Sequence, residues 1–356
     1  MRVALIGPPQ SGKSTLFQAI AAGSGSGVDM SRPDQPHLAT VKVPDERLTW
    51  LSEQFNPKKT TPAELAFLDM PGFDLTGDAG RQRAKVHWAS MRQSDMLVFV
   101  VREFKNDAVA MYRDRVDPAA DVEEMLTEMI FADLEQVTNR LAKLEASLKK
   151  PVGNKDEIKR EMELMTRLVD TLEEERPISD ALTSEIEIKM VASFAFLSQK
   201  PVLIVLNCDE DAMSADNPTE FAGRPCMYLS AQIEEELAEL PAEERGEFLA
   251  DLGLESTAGD RLIRACYTGV DLVSFLTSGE DECRAWTIRA GTTAVDAAGE
   301  IHSDIARGFI RAETVAYDDF KAGGDMKGAK AAGKVRLEGK TYVVQDGDII
   351  NYRFNV

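Results

Sequence analysis

The chain has 356 residues, 61 of them acidic and 41 basic, for a formal net charge of −20. Hydrophobic residues make up 44% and charged residues 29%, the balance of a soluble globular protein long enough for two or three domains. That acidity argues against a surface that grips nucleic acid everywhere, and no run approaches the ~20 apolar residues of a membrane-spanning helix. Cys208, Cys226, Cys266 and Cys283 form no C-x-x-C pair, as in a reduced cytosolic protein. His37, His87 and His302 are too scattered to suggest zinc. With no leader-like segment, the expected location is the cytoplasm.

Val3 to Ile6 reads as a short buried strand, followed by Gly7 and then Gly12-Lys13-Ser14. This is G-x-x-x-x-G-K-S between a strand and a helix running from Lys13 to Ala22, the context that the phosphate-binding P-loop requires. Gly7 and Gly12 let successive N–H groups turn toward a polyphosphate, and the helix dipole adds to the same concavity. Lys13 is placed to reach the β- and γ-phosphates, and Ser14 to offer a hydroxyl to Mg²⁺.

Gly23 to Gly27 and Arg32 to Pro36 carry loop chemistry. Thr40, at the end of His37-Leu38-Ala39-Thr40, is a candidate metal ligand on a switch segment or simply a strand residue. Leu65 to Leu68 reads as a second buried strand that delivers Asp69-Met70-Pro71-Gly72 at the carboxyl edge of a sheet, where ligands bind in open α/β folds. Asp69 there suits Mg²⁺ through water, and the N–H of Gly72 a γ-phosphate. Phe73 stands where water-activating GTPases place a glutamine, and its ring cannot orient water.

Asp95 to Val101 is the next buried strand. From about Glu123, Leu134, Val137, Leu141, Leu144 and Leu148 alternate in threes and fours. After a break at Pro151 to Asn154 the pattern resumes through Ile158, Met162, Met165, Val169 and Leu172. The spacing predicts two helices zipped as a hairpin, a partner-binding arm or spacer.

Pro201 to Leu206 returns the chain to a buried strand ending in Asn207-Cys208-Asp209-Glu210. GTPases read guanine with N-K-x-D at this place, Asn fixing the purine and Asp accepting from guanine. Here Cys208 replaces the lysine and Glu210 the aspartate, which undercuts guanine selectivity. Met227 to Leu229 then leads to Ser230-Ala231, where a backbone N–H can meet a base. Beyond Leu272 come short strands: Arg284 to Ile288, Gly308 to Ala312, and a hairpin of Lys340 to Val344 with Ile349 to Phe354 about Asp346-Gly347-Asp348. Lys321 to Lys340 holds six basic residues against two acidic, a candidate RNA-facing surface or a solvated loop.

The order of these parts resembles the YchF/Obg-like ATPases, a branch of the Obg-related, translation-factor-class P-loop proteins. The likeness covers nearly the whole chain. It rests on the P-loop, Val41 to Asp45 with Arg47-Leu48, Asp69 to Gly72 followed by a hydrophobic residue, Arg115 to Pro118, and Asn207 with Glu210. It rests most on Gly291 to Ala294, Ala297 to Gly299, Gly308 to Glu313, Glu338 to Lys340 and Arg353 to Val356.

The resemblance implies an α/β P-loop domain with a mostly parallel sheet (1–121 and 195–271), an inserted antiparallel helical hairpin (122–194) and a C-terminal β-grasp (TGS) domain (272–356). It implies a switch that binds and slowly hydrolyses ATP, with GTP as a further substrate, using Mg²⁺. The ribosome or its RNA would be the partner through the TGS domain and hairpin, with no membrane contact. Carried over residue by residue, Gln10, Ser11, Gly12, Lys13, Ser14 and Thr15 face the phosphates, Ser14, Thr40 and Asp69 the metal, and Gly72 the γ-phosphate. Asn207, Cys208, Glu210, Ser230 and Ala231 surround the base. The chain departs from the family in having Gln10-Ser11 for Asn-Val, which leaves potassium dependence open, and in a short Phe73 to Gly80 segment. Met111 stands where a hydrolysis-assisting histidine is often proposed. Phe73 and Met111 favour a rival reading as a nucleotide-holding scaffold with little turnover. A true GTPase is the third reading, and it expects aspartate in place of Glu210.

Overall fold

The computed structural model describes residues 1–25, 27–149, 154–214, 216–251, 254 and 256–355. The expected break at Pro151 to Gly153 and the terminal Val356 lie outside the described residues. Among those described, thirteen strands form two sheets: β1 (Arg2–Ile6), β2 (His37–Lys42), β3 (Lys59–Thr61), β4 (Glu64–Asp69), β5 (Met96–Arg102), β6 (Val202–Asn207), β7 (Glu220–Phe221), β8 (Arg224–Leu229), β9 (Leu272–Thr277), β10 (Glu282–Arg289), β11 (Phe309–Ala316), β12 (Arg336–Glu338) and β13 (Asp348–Phe354). Six helices matter below: α1 (Lys13–Gly23), α2 (Glu46–Phe55), α3 (Gly77–Lys85), α4 (Trp88–Arg92), α5 (Pro118–Leu148) and α6 (Lys155–Glu173). Contacts divide the chain into two compact units, Met1–Ala39 with Phe67–Gly253, and Thr40–Ala66 with Leu254–Val356.

The sheet that carries the P-loop strand runs β2-β4-β1-β5-β6-β8-β7, with β1 well inside it. Strands β1, β5, β6 and β8 are parallel neighbours in register, Leu5 beside Val98 and Val98 beside Leu203, and β7 closes the edge antiparallel to β8. Every residue of β5 and β6 is buried. Continuous apolar runs of this kind are what a parallel sheet covered on both faces demands. The consequence for function is positional: the chain leaves β1, β4, β5, β6 and β8 at one carboxyl edge, bringing Gly7, Asp69, Arg102, Asn207 and Ser230 to the same side.

The helical hairpin is present and more deeply rooted than its heptads suggest. Pro118 occupies the first turn of α5, and the Asp117 side chain accepts from Ala120 N, so the helix starts ahead of the predicted point. Val122, Met125 and Met129 of its first turns join the core beneath the sheet. Further out, Val137 and Leu144 meet Ile158, Met165 and Leu172, as the spacing predicts, with Leu134, Leu141, Leu148, Met162 and Val169 partly buried beside them. Leu164 and Leu168 are buried too, because α6 also covers Ile178, Ala181 and Val191 and needs a wider apolar face than a two-helix seam. Arg140 bridges the arms to Glu161 through bonds of 2.7 and 2.9 Å.

In the second unit a six-stranded sheet runs β12-β11-β13-β9-β10-β3. The stretch 40–66 belongs here by its contacts, although the sequence places it with the P-loop. Strand β3 pairs with β10, Trp50 of α2 lies edge-on to Tyr317, and Arg47 Nη1 donates to the Asp346 carboxylate at 2.6 Å. The expected hairpin between Lys340–Val344 and Ile349–Phe354 does not form. Strand β13 gives its ladder to β11 and touches β9, while Tyr342 O and Val344 N bond to Ala294 N and Thr292 O. Asp348 turns inward to accept from the Tyr342 hydroxyl and from Gln345 N, so the Asp-Gly pair marks a corner and not a two-strand turn.

Asp133 fixes the root of the hairpin. Its wholly buried carboxylate accepts from Arg92 Nη1 at 2.7 Å, Leu197 N at 3.0 Å and Ser198 N at 2.8 Å. Removing one partner of such a pair strands the rest, at a cost of about 3–5 kcal/mol. Asp133→Ala is therefore expected to lower the urea midpoint by that equivalent, with Asp133→Asn milder because it keeps an acceptor; chemical denaturation of the three chains measures it.

Candidate nucleotide-binding site

The P-loop turns through two residues in the left-handed region, Gln10 at φ 62° and Gly12 at φ 82°. Only Gly12 is free of the Cβ penalty there, and the glycine is required twice over, because a Cβ would stand 2.1 Å from Asn207 Nδ2. At Gly7 an added Cβ would lie 2.2 Å from Val100 O. The first turn of α1 has no side-chain cap, so its leading N–H groups remain available to an anion. Ser11 Oγ, buried in the same loop, meets no hydrogen-bond partner among the described residues, and a buried hydroxyl left in that state awaits an acceptor or donor.

Lys13 does not point into open space. The residue is 4% exposed, and its ammonium is bonded to the carboxylate of Asp69, a residue 3% exposed. Lys13 Nζ also lies 3.4 Å from Ser14 Oγ, which donates to Asp69 Oδ2 at 2.9 Å. Burial pulls the Lys13 pKa below its ordinary value while the charge and hydrogen bond of Asp69 oppose the fall. Two charges that are costly to bury alone are thus held by each other and by one hydroxyl. The Ser14 and Asp69 oxygens, hydrogen-bonded at 2.9 Å, are hard oxygen donors of the kind Mg²⁺ prefers. Among the described residues no group of three or more His, Cys, Asp and Glu could hold a metal by itself.

A cavity of about 560 Å³ opens beside Gly12 and Thr15 and is lined by Asn207, Cys208, Glu210, Ser230 and Ala231, so the residues named for the base come together around one space. Their roles differ from the expectation in two respects. Asn207 Nδ2 donates to Ser11 O and Asn207 Oδ1 accepts from Ala231 N, both at 2.9 Å. The carboxamide thus ties the P-loop to the next loop, and the Ala231 N–H expected to meet a base is already engaged. Ser230 caps the following helix through Ile233 N. Cys208, pushed up to about 11 by burial, stays a thiol and donates to Leu229 O at 3.5 Å. Glu210 is exposed at the rim with Asp209, Glu235 and Glu236.

The cavity's other wall was not foreseen. Arg102 closes an otherwise apolar strand, and its guanidinium donates to the carbonyls of Phe104 at 3.2 Å, Val109 at 3.1 Å, and Ala110 and Asn106 at 3.0 Å. Those bonds hold the loop that lines the cavity with Phe104, Asn106 and Val109. A lone arginine ending a buried strand was the available signal, since it is tolerated only where carbonyls meet it. Met111, just past this loop, is exposed.

Gly72 sits against the P-loop, where an added Cβ would be 3.2 Å from Pro9 Cα, and Phe73 N donates to Gly7 O at 2.9 Å. The Phe73 ring is buried, its centroid 5.5 Å from that of Trp88, so it packs and does no polar work. Thr40 lies exposed on β2, on a part of that strand that belongs to the second unit.

Residues 2–140 match the family described as 50S ribosome-binding GTPase, and residues 272–355 match YchF-GTPase_C, described as a protein of unknown function (DUF933). The chain is similar to the ribosome-binding ATPase YchF of Bacillus subtilis, at 41% identity over 99% of this chain and 98% of that protein. It is similar to Obg-like ATPase 1 of Oryza sativa, at 34% identity over 100% of this chain and 92% of the other. Among solved structures it resembles the Schizosaccharomyces pombe YchF GTPase, with a TM-score of 0.82, 28% identity, and coverage of 99% and 97% of the two chains.

The Asn207 clamp makes a direct prediction. Asn207→Ala leaves Ser11 O and Ala231 N without their partner and frees both loops, so ATP affinity is expected to fall by about 10-fold or more, at about 1–3 kcal/mol for an unsatisfied buried pair. Isothermal titration of the variant measures it, with circular dichroism to confirm the fold.

Proposed function

The chain belongs to the YchF family, and from that premise we propose that it is a nucleotide-dependent switch that binds ATP at the P-loop, hydrolyses it slowly with Mg²⁺, and acts on the ribosome. The observation that carries the reading is the arrangement of Lys13, Ser14 and Asp69 beneath an uncapped helix, with a carboxylate-rimmed cavity one residue away. On binding, the triphosphate takes over the Lys13 ammonium. Ser14 would then hold Mg²⁺ directly, and Asp69, freed from Lys13, would hold it through water. When bound, Mg²⁺ would supply positive charge against the developing charge of the phosphates.

The preference for ATP follows from what rims the base cavity. Adenine presents an amino donor where guanine presents the O6 acceptor. Asp209, Glu210, Glu235 and Glu236 offer acceptors, Cys208 replaces the lysine, and the Ala231 N–H is spent on Asn207. The two donors that the motif would aim at O6, the lysine and the Ala231 N–H, are thus missing or engaged, and a site whose polar groups go unmatched rejects the ligand strongly. GTP remains the weaker alternative substrate.

Association with the ribosome, which the name of the Bacillus relative carries, is proposed through the hairpin and the C-terminal region, whose β-grasp character is part of the same reading. All six basic side chains between Lys321 and Lys340 are exposed. Lys330, Lys334 and Arg336 are paired with carboxylates of their own unit. That leaves Lys321, Lys327 and Lys340 as the better candidates for phosphate contact. The division into a P-loop domain (1–121 and 195–271), a hairpin (122–194) and a TGS domain (272–356) is proposed as the functional partition, distinct from the grouping of contacts.

Lys13→Ala is expected to lower ATP turnover by about 10²-fold or more, because it removes the charge aimed at the β/γ oxygens; unchanged binding and rate would contradict the P-loop assignment. Glu210→Asp is expected to move the ATP/GTP affinity ratio part of the way toward GTP, since the shorter carboxylate suits guanine's paired donors, and an unmoved ratio in competition binding would remove Glu210 from the base site.

A further inference from the structure

The proposed hydrolysis lacks a group to handle water, since Phe73 is an aromatic plug and Met111 carries no proton acceptor. A second cavity in the first unit, of about 570 Å³, is bounded by Pro9 of the P-loop, by Pro71 and Gly72 after β4, and by Asp34, Arg83 and His87. In a P-loop enzyme the attacking water enters in line, on the far side of the γ-phosphate, where the start of the P-loop meets the Gly72 position. This cavity has those two walls.

We infer that His87 is the side chain that orients and deprotonates the attacking water in this protein. It lines the cavity at the junction of α3 and α4 and is half-buried. Its position is set from two sides. His87 N donates to Ala84 O at 3.0 Å, and His87 O accepts from Ser90 N and Met91 N at 3.1 Å. Phe73, pinned to Gly7 by its own N–H, rests against both Trp88 and the imidazole, with ring centroids 5.5 and 6.3 Å away. The hydrophobic residue at the switch position thereby becomes the spacer that sets the distance from Gly72 to His87.

The other polar side chains of the cavity are less suited. Asp74 accepts from Thr76 N at 3.0 Å and from Arg83 at 3.1 Å, which occupies both Asp74 and Arg83. Asp34 is exposed on its loop. The imidazole makes no hydrogen bond to another described residue, and burial holds its pKa below the ordinary histidine value, so at neutral pH it is uncharged with a lone pair to offer. The charged groups facing it are Asp34 from the loop, Asp74 from the segment after β4, and Arg83 from α3. In the step itself the unprotonated ring nitrogen takes a proton from water, the water oxygen forms a bond to the γ-phosphorus, and the β–γ bridging P–O bond breaks to release ADP. The proton passes on to the departing phosphate or to bulk water.

The inference rests on the ATPase reading, and single-turnover hydrolysis on the full chain separates the two. His87→Ala and His87→Phe are expected to lower the rate by about 10²-fold or more, the scale of general base catalysis, while ATP affinity by titration changes less than about threefold. His87→Gln, which can orient water without being a useful base, is expected to recover part of that loss. The unmodified chain should gain rate with rising pH through the acid range and level off above the lowered imidazole pKa, and the variants should lack that limb. Variants within about twofold of the parent rate, or a parallel loss of ATP affinity and rate in all three, would overturn the role of His87 and leave the ATPase reading standing. An unmodified chain that binds ATP and never turns it over would overturn both.

Discussion

A buried ammonium and a buried carboxylate are each costly alone, and the pair Lys13–Asp69 is the constraint around which the first unit is arranged. Both groups are nearly sealed from solvent, so each depends on the other for compensation. The P-loop brings Lys13 from the end of β1, and β4 brings Asp69 from the neighbouring strand. The pair therefore exists only when the central sheet is in register. It also stores the polar groups that the triphosphate and Mg²⁺ are proposed to claim. Lys13, Ser14 and Asp69 are preassembled, and nucleotide binding exchanges one charged partner for another without exposing either to an apolar environment.

The same logic extends outward from that pair. Asn207 holds Ser11 and Ala231 with a single carboxamide, Arg102 holds the opposite loop with four carbonyl contacts, and Phe73 holds the switch position through Gly7. Each loop at the carboxyl edge of the sheet is thus tied down by a side chain or amide that comes from a strand or follows one. Chemistry is left to groups these ties do not consume: the Ser11 hydroxyl, the carboxylates at the base cavity and the imidazole of His87. Hydrophobic packing at Phe73 is compatible with catalysis in this arrangement, because the water-handling group is supplied from behind it.

Much of this was legible in the sequence because local chemistry determines it. The P-loop glycines, the apolar runs of β5 and β6 and the alternating heptads of α5 and α6 are short-range signals, and the elements lie where they point. What escaped is what depends on distant partners. Asn207 and Ser11 are 196 positions apart and Arg47 and Asp346 are 299 apart, so no window of sequence shows that the first pair ties the P-loop to a distant loop, or that the second anchors the stretch 40–66. The Lys340–Val344 hairpin failed for the same reason: an Asp-Gly corner beside alternating residues looks like a turn until the preference of β13 for β11 is known. His87 drew no attention because one histidine in a polar segment has no pattern. Its meaning comes only from sharing a cavity with Pro9 and Gly72.

The purine that the carboxylate-rimmed cavity accepts decides whether this chain is a switch run on ATP. Displacement of a fluorescent ATP analogue from the unmodified chain by ATP and by GTP, at fixed Mg²⁺, is the most direct measurement. ATP is predicted to displace it at concentrations at least about tenfold lower than GTP, the discrimination expected where a ligand acceptor meets unmatched polar groups. Displacement by GTP at equal or lower concentrations than ATP would contradict the account.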